Sequence, residues 1–265
     1  MRAMMSLVVE LFGEMHFRFH GIGFCIGALL LCMGCGSVEE DPRTYYDAFS
    51  FYPLDSQVLV YQVDSTLFDL QGNQRVQRMS SSFLRYTQIF ESGQWWWLIH
   101  RKAADTSDWV LSERIGITEE QGDIWETHSG AILKKMDQPL FSGYSWEETI
   151  GVSSDYTVTL EGESFQPFSA PWIVEAAIRE DGYERNGLRF DTYLVKRMEP
   201  LDLLIEYRAM EEIYALGVGL VSRALYIADT QCEHKGGLLE NCVDESWDEK
   251  ANRGYQISME LIEIQ

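Results

Sequence analysis

Short runs of β-branched and aromatic residues, separated by turn residues, recur along most of this chain and constrain its fold more than any other feature. The first run, 57–68, is followed by the hairpin-type turn Gln71-Gly72-Asn73. The last, 255–264, alternates apolar and polar residues with the period of two that marks a half-buried strand. Similar runs lie between them, at 78–90, 94–102, 109–118, 124–136, 156–160, 172–179, 188–197, 203–213 and 219–227.

Strands of this length and spacing predict an all-β fold, a single antiparallel barrel-like or sandwich domain of about ten strands. Helical signals are scarce; segment 173–180 has helical propensity but is short and lies between Pro171 and Gly182. No linker rich in Pro, Gly or Ser divides the chain. We therefore expect one domain at 44–265, interrupted before its last strand by an insertion at 232–252.

The N-terminus carries an apolar run, 21–33, which is too short for a membrane span and has the length of a signal-peptide core. After it, the sequence Leu-Leu-Cys-Met-Gly-Cys35-Gly-Ser resembles the lipobox of bacterial lipoproteins. This resemblance implies a signal peptide at 1–34 and a lipid on Cys35. The third position before the cysteine is usually Leu and is Cys32 here, whereas Cys32 as the acylated residue would follow a bulky Leu31. An ordinary secretory signal with an incidental cysteine is the alternative.

The first residues of the chain do not match a basic signal-peptide start, because they contain Glu10 and Glu14. Translation from Met15 would instead begin with Met-His-Phe-Arg-Phe-His, lead straight into the apolar run and give a signal of normal proportions. The start at Met15 therefore remains open.

A short polar tether, 35–43, follows the predicted lipid site. Its acidic cluster Glu39-Glu40-Asp41 resembles the export signal that sends some Bacteroidetes lipoproteins to the outer face of the outer membrane. We expect an outer membrane lipoprotein that is displayed on the surface. A plain flexible linker, with the domain on the periplasmic face, is the alternative.

The net charge of −21 restricts the partners of this chain. Residues 1–34 contain two arginines and two glutamates, so the whole excess of negative charge belongs to the mature part. Such a surface repels nucleic acid and anionic membranes. The expected contact with the membrane is therefore the N-terminal lipid alone, and no cofactor is predicted.

Two cysteines, Cys232 and Cys242, remain after the signal peptide and the lipid site are set aside. In an oxidising compartment, we expect a disulfide that closes the loop between them and stabilises the fold by about 2 to 3 kcal/mol. A zinc site with His234 is the alternative, although a fourth ligand and the usual close cysteine spacing are missing.

Two segments carry a family resemblance. The sequence Phe51-Tyr-Pro-Leu-Asp-Ser-Gln-Val-Leu-Val-Tyr-Gln-Val-Asp-Ser65 resembles the first strand of conserved Bacteroidetes lipoproteins of unassigned function. The sequence Tyr214-Ala-Leu-Gly-Val-Gly-Leu-Val221 is similar to a hairpin of those proteins and of exported β proteins related to the TapB-like domain. The resemblance implies a curved, barrel-like antiparallel sheet and brings no catalytic residues.

Gly217 and Gly219, which flank Val218 in the second segment, have a physical interpretation of their own. Glycines within an apolar run predict a β-bulge or a close approach of two backbone segments. A phosphate-binding loop is disfavoured because no helix with Lys and Ser or Thr follows.

Trp95, Trp96 and Trp97 form the most unusual local pattern. In a strand, Trp95 and Trp97 share one face and Trp96 takes the other, so an indole could stack on a sugar or another apolar ligand. Trp109, Trp125 and Trp146 could join such a site. Burial of the indoles in a β core is the favoured alternative.

No catalytic or metal-binding motif is present in the sequence. His100, His128 and His234 lie apart, and a Gly-x-Ser-x-Gly motif is absent. We therefore expect a lipid-anchored envelope or cell-surface β protein with a binding or structural role and an envelope protein or glycan as its partner. The less favoured alternative is an anchored hydrolase or carbohydrate-handling enzyme whose site is assembled from distant strands.

Overall fold

The computed structural model describes residues 44–71, 74–103, 108–129, 131–141, 143–148, 151–152, 158–160, 163–165, 172–198, 206–229 and 251–265. These ranges contain one short helix, α1 (Ala48–Phe51), and fifteen strands: β1 (Val58–Gln71), β2 (Gln74–Glu91), β3 (Gln94–Ala103), β4 (Val110–Glu120), β5 (Asp123–His128), β6 (Ala131–Met136), β7 (Ser145–Glu148), β8 (Gly151–Val152), β9 (Val158–Leu160), β10 (Glu163–Phe165), β11 (Trp172–Arg185), β12 (Leu188–Met198), β13 (Glu206–Ala215), β14 (Gly219–Asp229) and β15 (Arg253–Ile264). Among them, no helix is long and apolar enough to cross a membrane.

Thirteen of these strands form one antiparallel sheet in the order β7-β11-β12-β13-β14-β15-β1-β2-β3-β4-β5-β6-β8, and β9 pairs with β10. The predicted all-β antiparallel class is confirmed. The strand count exceeds the expected ten or so, partly because run 124–136 contains two paired strands, β5 and β6. Segment 173–180 belongs to strand β11 and is not a helix. The short strands β7, β8 and β10 had no signal in the alternation of apolar and polar residues.

The two edge strands of the sheet, β7 and β8, are consecutive in the chain. β7 pairs with β11, and β8 pairs with β6 at the opposite end of the strand order. Only residues 149 and 150 separate them, and three consecutive Cα–Cα steps span at most about 11 Å. The sheet is therefore rolled until its edges lie near each other, although the strand order itself stays open.

Helix α1 is held inside the rolled sheet at one end. Asp47 caps its N-terminus, and the fully buried Phe51 ring lies 5.6 Å from the ring of Tyr193 on β12. The Ser50 carbonyl accepts a hydrogen bond of 2.7 Å from the backbone N–H of Gly217, in the turn between β13 and β14. A Cβ on Gly217 would meet no atom within 4 Å, so the predicted close backbone approach is wrong there; the glycine instead fits the positive φ of +71° that this turn requires.

Side chains on the inner face of the sheet form the main core. Strict alternation along the strands places apolar residues there, as in the triplet Leu59, Tyr61 and Val63 of β1. Charged residues interrupt the same inner rows on several strands. These interruptions define the candidate site.

Candidate functional site

A cluster of charged side chains lies in the interior, between the two halves of the sheet. Five strands contribute to it: β5 with Glu126, β6 with Lys135, β12 with Arg197, β13 with Glu212 and β14 with Arg223. The side chains of the first four have at most 5% exposure, and that of Arg223 has 17%. We call these five residues the buried charge cluster.

Glu212 is the centre of the cluster and accepts bonds from four side chains. Its Oε1 lies 2.7 Å from Lys135 Nζ and 2.8 Å from Arg223 Nε. Its Oε2 lies 2.7 Å from Arg197 Nη1 and accepts a hydrogen bond of 3.1 Å from the Tyr214 hydroxyl. Both oxygens of this fully buried carboxylate are therefore occupied.

Glu126 occupies the other side of Lys135 and is also engaged at both oxygens. The Tyr52 hydroxyl donates to Oε1 at 2.6 Å and itself accepts a bond of 2.7 Å from Trp97 Nε1. Oε2 lies 3.2 Å from His128 Nε2 and 3.4 Å from Lys135 Nζ. Helix α1 positions this chain of contacts, because Tyr52 follows its last residue directly.

The charges of the cluster explain how two carboxylates stay ionised in the core. Burial alone would raise the pKa of Glu126 and of Glu212. The attraction of Lys135 and, after it, of the neighbouring bases outweighs burial and holds both pKa values well below the ordinary range. Burial raises the pKa of the Tyr52 and Tyr214 hydroxyls, which therefore act as neutral donors.

His128 links the cluster to the surface. Its Nδ1 lies 3.0 Å from Glu113 Oε1 on β4, and its Nε2 faces Glu126. Burial would lower the pKa of His128, but the hydrogen bonds to the two carboxylates more than compensate and raise it. With Glu113, the group has three carboxylates, which face the three cations Lys135, Arg197 and Arg223. A protonated His128 adds a fourth positive charge.

Among the residues that the structure describes, the space beside the buried charge cluster is small. A cavity beside Glu126 is lined by Tyr52, Tyr61, Tyr86 and Trp97 among others, and its volume of about 10 Å³ is enough for roughly one water molecule. The carboxylate oxygens already have partners. The geometry therefore fits a brace between β5–β6 and β12–β14 better than a reaction centre.

Metal ligation finds no support in the part of the chain that the structure describes, where no group of three His, Cys, Asp or Glu side chains could hold an ion. The predicted lipid site Cys35, the predicted disulfide Cys232–Cys242 and its zinc alternative with His234 lie outside the described residues.

The three consecutive tryptophans take different environments. Trp97 is 6% exposed in the core and bonds to Tyr52. Trp96 faces outward, where the Arg114 guanidinium lies 4.0 Å from its ring centroid. Trp95 is half-buried, and its ring centroid lies 5.2 Å from that of Phe90. The three indoles do not form one platform.

The other tryptophans considered in the sequence are also engaged. The Arg85 guanidinium lies 4.9 Å from the ring of Trp109, and Lys134 Nζ lies 4.7 Å from that of Trp125. The rings of Trp146 and Tyr144 are 5.8 Å apart. Basic side chains thus cover several of the outward indoles, as expected for cation–π contacts.

Sequence reasoning did not identify the buried charge cluster. A signal was available. Glu126 is two positions after the inward-facing Ile124, and Arg197 is two positions after the inward-facing Val195, so alternation places both charged side chains on the inner face. A charge at an inward position requires a buried partner. Which strand supplies that partner depends on how the sheet rolls, and alternation along one strand does not contain that information.

Comparison of the chain with protein-family models, with curated proteins and with solved structures gave no match.

Proposed function

We propose that the protein is an exported lipoprotein, anchored through Cys35, whose rolled β domain binds a partner on its outer surface in the cell envelope. The signal-like apolar run and the Gly34-Cys35-Gly36-Ser37 junction support the anchor. The acidic tether supports display on the outer face of the outer membrane.

The observation that supports a binding role over an enzymatic one is that side chains fill the interior around the buried charge cluster. Glu126 and Glu212 both pair with Lys135, which therefore fills the space between them. A hydrolase with a carboxylate pair needs that space for its substrate. Here, however, each carboxylate oxygen has a partner, and the adjacent cavity holds roughly one water. These features favour a rigid scaffold that presents its surface over a hydrolase with an internal cleft.

Labelling with radioactive palmitate tests the anchor. We expect the wild type to incorporate label into the membrane fraction and Cys35→Ala to lose it. Cys32→Ala is the matched control and should keep the label, because it changes the neighbouring cysteine of the same segment. A wild type that takes up no label would contradict the anchor and leave a periplasmic or secreted protein.

Protease treatment of intact cells tests the side of the membrane. We expect the wild type to be cleaved, whereas a variant with Glu39, Glu40 and Asp41 replaced by Ala should be protected while it still carries lipid. Cleavage of the wild type only after the cells are lysed would place the domain on the periplasmic face.

A further inference from the structure

Two grooves lie on the outer face of the sheet and meet at one residue, Gln256. The first has a volume of about 310 Å³ and crosses β12 to β15. The second, of about 340 Å³, crosses β15, β1 and β2. Gln256 pairs with Tyr226 on one side and with Thr66 on the other, so the two grooves follow the same cross-strand rows.

Small side chains form the floor of this double groove. Ala224 pairs with Ser258 of β15, which pairs with Asp64 of β1, which in turn pairs with Ser81 of β2. Residues that are directly opposite share a face, so these positions form one row on the outside. Longer side chains of the neighbouring row, including Tyr226 and Gln256, stand beside this floor and give the groove its depth.

The two ends of the double groove differ in chemistry. The first contains the rings of Tyr207 and Tyr226, with their centroids 5.4 Å apart in an edge-to-face arrangement. The second is lined by the hydroxyls of Thr66, Ser81 and Ser258 and by the Asp64 carboxylate, along with others. Asp64 accepts from the Ser81 hydroxyl at 2.5 Å and from Gln62 Nε2 at 3.2 Å, and each of its exposed oxygens has a further lone pair for a ligand hydroxyl. Aromatic rings pack against apolar C–H faces, whereas hydroxyl and carboxylate groups bond to hydroxyls.

We infer that the double groove binds a neutral glycan; this inference deepens the proposed binding role and rests on it. A sugar chain offers both apolar C–H faces and hydroxyls, and volumes of about 310 and 340 Å³ fall at the lower end of ligand pockets. The net charge of −21, with Asp64 at the groove, disfavours acidic glycans and phosphate groups. Glu211 and Lys196, which also line the groove, pair with each other at 3.2 Å.

A peptide strand fits this site less well. β14 pairs with both β13 and β15, and β15 pairs with both β14 and β1, so their backbone hydrogen bonds are already made. A peptide that adds to a sheet needs a strand edge with unpaired groups. Recognition at the double groove must therefore use side chains.

The test uses an array of immobilised neutral and acidic oligosaccharides. The whole protein is purified from the cell fraction in which it occurs and applied to the array. Calorimetry then measures the affinity for each oligosaccharide that binds. We expect binding of neutral oligosaccharides. Ala224→Phe should weaken it at least tenfold, because the new ring occupies the floor. Thr118→Phe, which introduces the same ring at an exposed position on the far half of the sheet, is the control and should retain binding.

A melting-temperature measurement shows that both variants are folded, and methyl NMR locates the ligand. The signals of Met198 and Met79, one from each groove, should shift on titration, whereas that of the buried Met136 should not. Absence of neutral-glycan binding by the wild type, or equal binding by folded Ala224→Phe, would overturn the inference. Because the protein is taken from whichever fraction holds it, failure of the lipid anchor would not produce either result.

Discussion

Lys135 on β6 and Glu212 on β13 form an ion pair with an Nζ–Oε1 distance of 2.7 Å, although 77 positions separate them in the sequence. Their side chains are 1% and 0% exposed. The two strands belong to opposite halves of the strand order, so the pair crosses the interior of the rolled sheet. The contact therefore ties together regions that the backbone ladder joins only through many intervening strands.

Replacement of Lys135 by Met should destabilise the protein strongly. The change leaves Glu126 and Glu212 in the core without the cation that lies between them, and removal of one partner from a buried pair costs about 3 to 5 kcal/mol. Urea unfolding measures the loss in the free energy of unfolding.

Lys196→Met is the matched control for this experiment. Lys196 pairs with Glu211 at 3.2 Å, but both side chains are more than 40% exposed. An exposed pair of this kind contributes about 0 to 1 kcal/mol. Equal losses in the two variants would contradict the assignment of Lys135 to a structural brace.

The fold could largely be predicted from the sequence, because alternation and turn residues are local properties. Runs such as 57–68 and 255–264 coincide closely with β1 and β15. The double groove and the buried charge cluster could not, because each combines residues from strands that meet only when the sheet rolls. Glu126 illustrates the limit: its own strand shows that it faces inward, but not that Lys135 and Tyr52 are its partners.

Tyr52→Phe should cost more than Tyr61→Phe. The Tyr52 hydroxyl donates to Glu126 and accepts from Trp97, so its loss leaves two buried polar groups without that partner. Each such group costs about 1 to 3 kcal/mol. The Tyr61 hydroxyl donates to a single acceptor, the Leu220 carbonyl, at 2.7 Å. Chemical unfolding of both variants checks the order, and the reverse order would show that Glu126 does not depend on Tyr52.

Gly254 and Gly217 differ in how much space surrounds their backbone, so alanine substitutions at the two positions should differ in their cost to stability. A Cβ on Gly254 would lie 2.1 Å from the Ile227 carbonyl oxygen, whereas a Cβ on Gly217 would have no atom within 4 Å. Both have positive φ, +143° and +71°. Gly217→Ala should therefore cost only the conformational strain, about 1 kcal/mol, and Gly254→Ala should cost that strain plus a backbone displacement.

Thermal unfolding of the two alanine variants measures this difference. We expect the melting temperature of Gly254→Ala to fall well below that of Gly217→Ala. Similar melting temperatures would mean that β14 and β15 can separate at this point without loss, which would contradict the tight pairing of Gly254 with Ala228.

The free energy of unfolding should pass through a maximum with pH, falling on the acid side and on the alkaline side. On the acid side, the pKa values of Glu126 and Glu212 are lowered from 4.5 in the folded protein. Their contribution is complete above about 4.5 and is lost as the pH falls through the folded values. The buried charge cluster should therefore open in acid.

On the alkaline side, deprotonation of His128 should lower the free energy of unfolding. It faces Glu113 on β4 and Glu126 on β5, with Lys135 and Arg223 acting on the same carboxylate from β6 and β14. Its folded pKa is raised above 6.5, so its contribution is complete below that pH and is lost as the pH rises through the folded value. The free energy of unfolding should thus be highest between about pH 4.5 and 6.5.

The variant His128→Gln isolates this alkaline limb. The glutamine amide can still donate hydrogen bonds but does not titrate, so the decline of stability above pH 6.5 should become shallower. The acid limb should weaken only in part, because His128 helps to lower the pKa of Glu126 but Lys135, which contributes more, is still present. His100→Gln is the matched control, because it makes the same substitution on β3, outside the buried charge cluster. Urea unfolding across the pH range gives the curves. An alkaline limb that His128→Gln leaves intact would show that the contacts with Glu113 and Glu126 do not hold the proton on this ring.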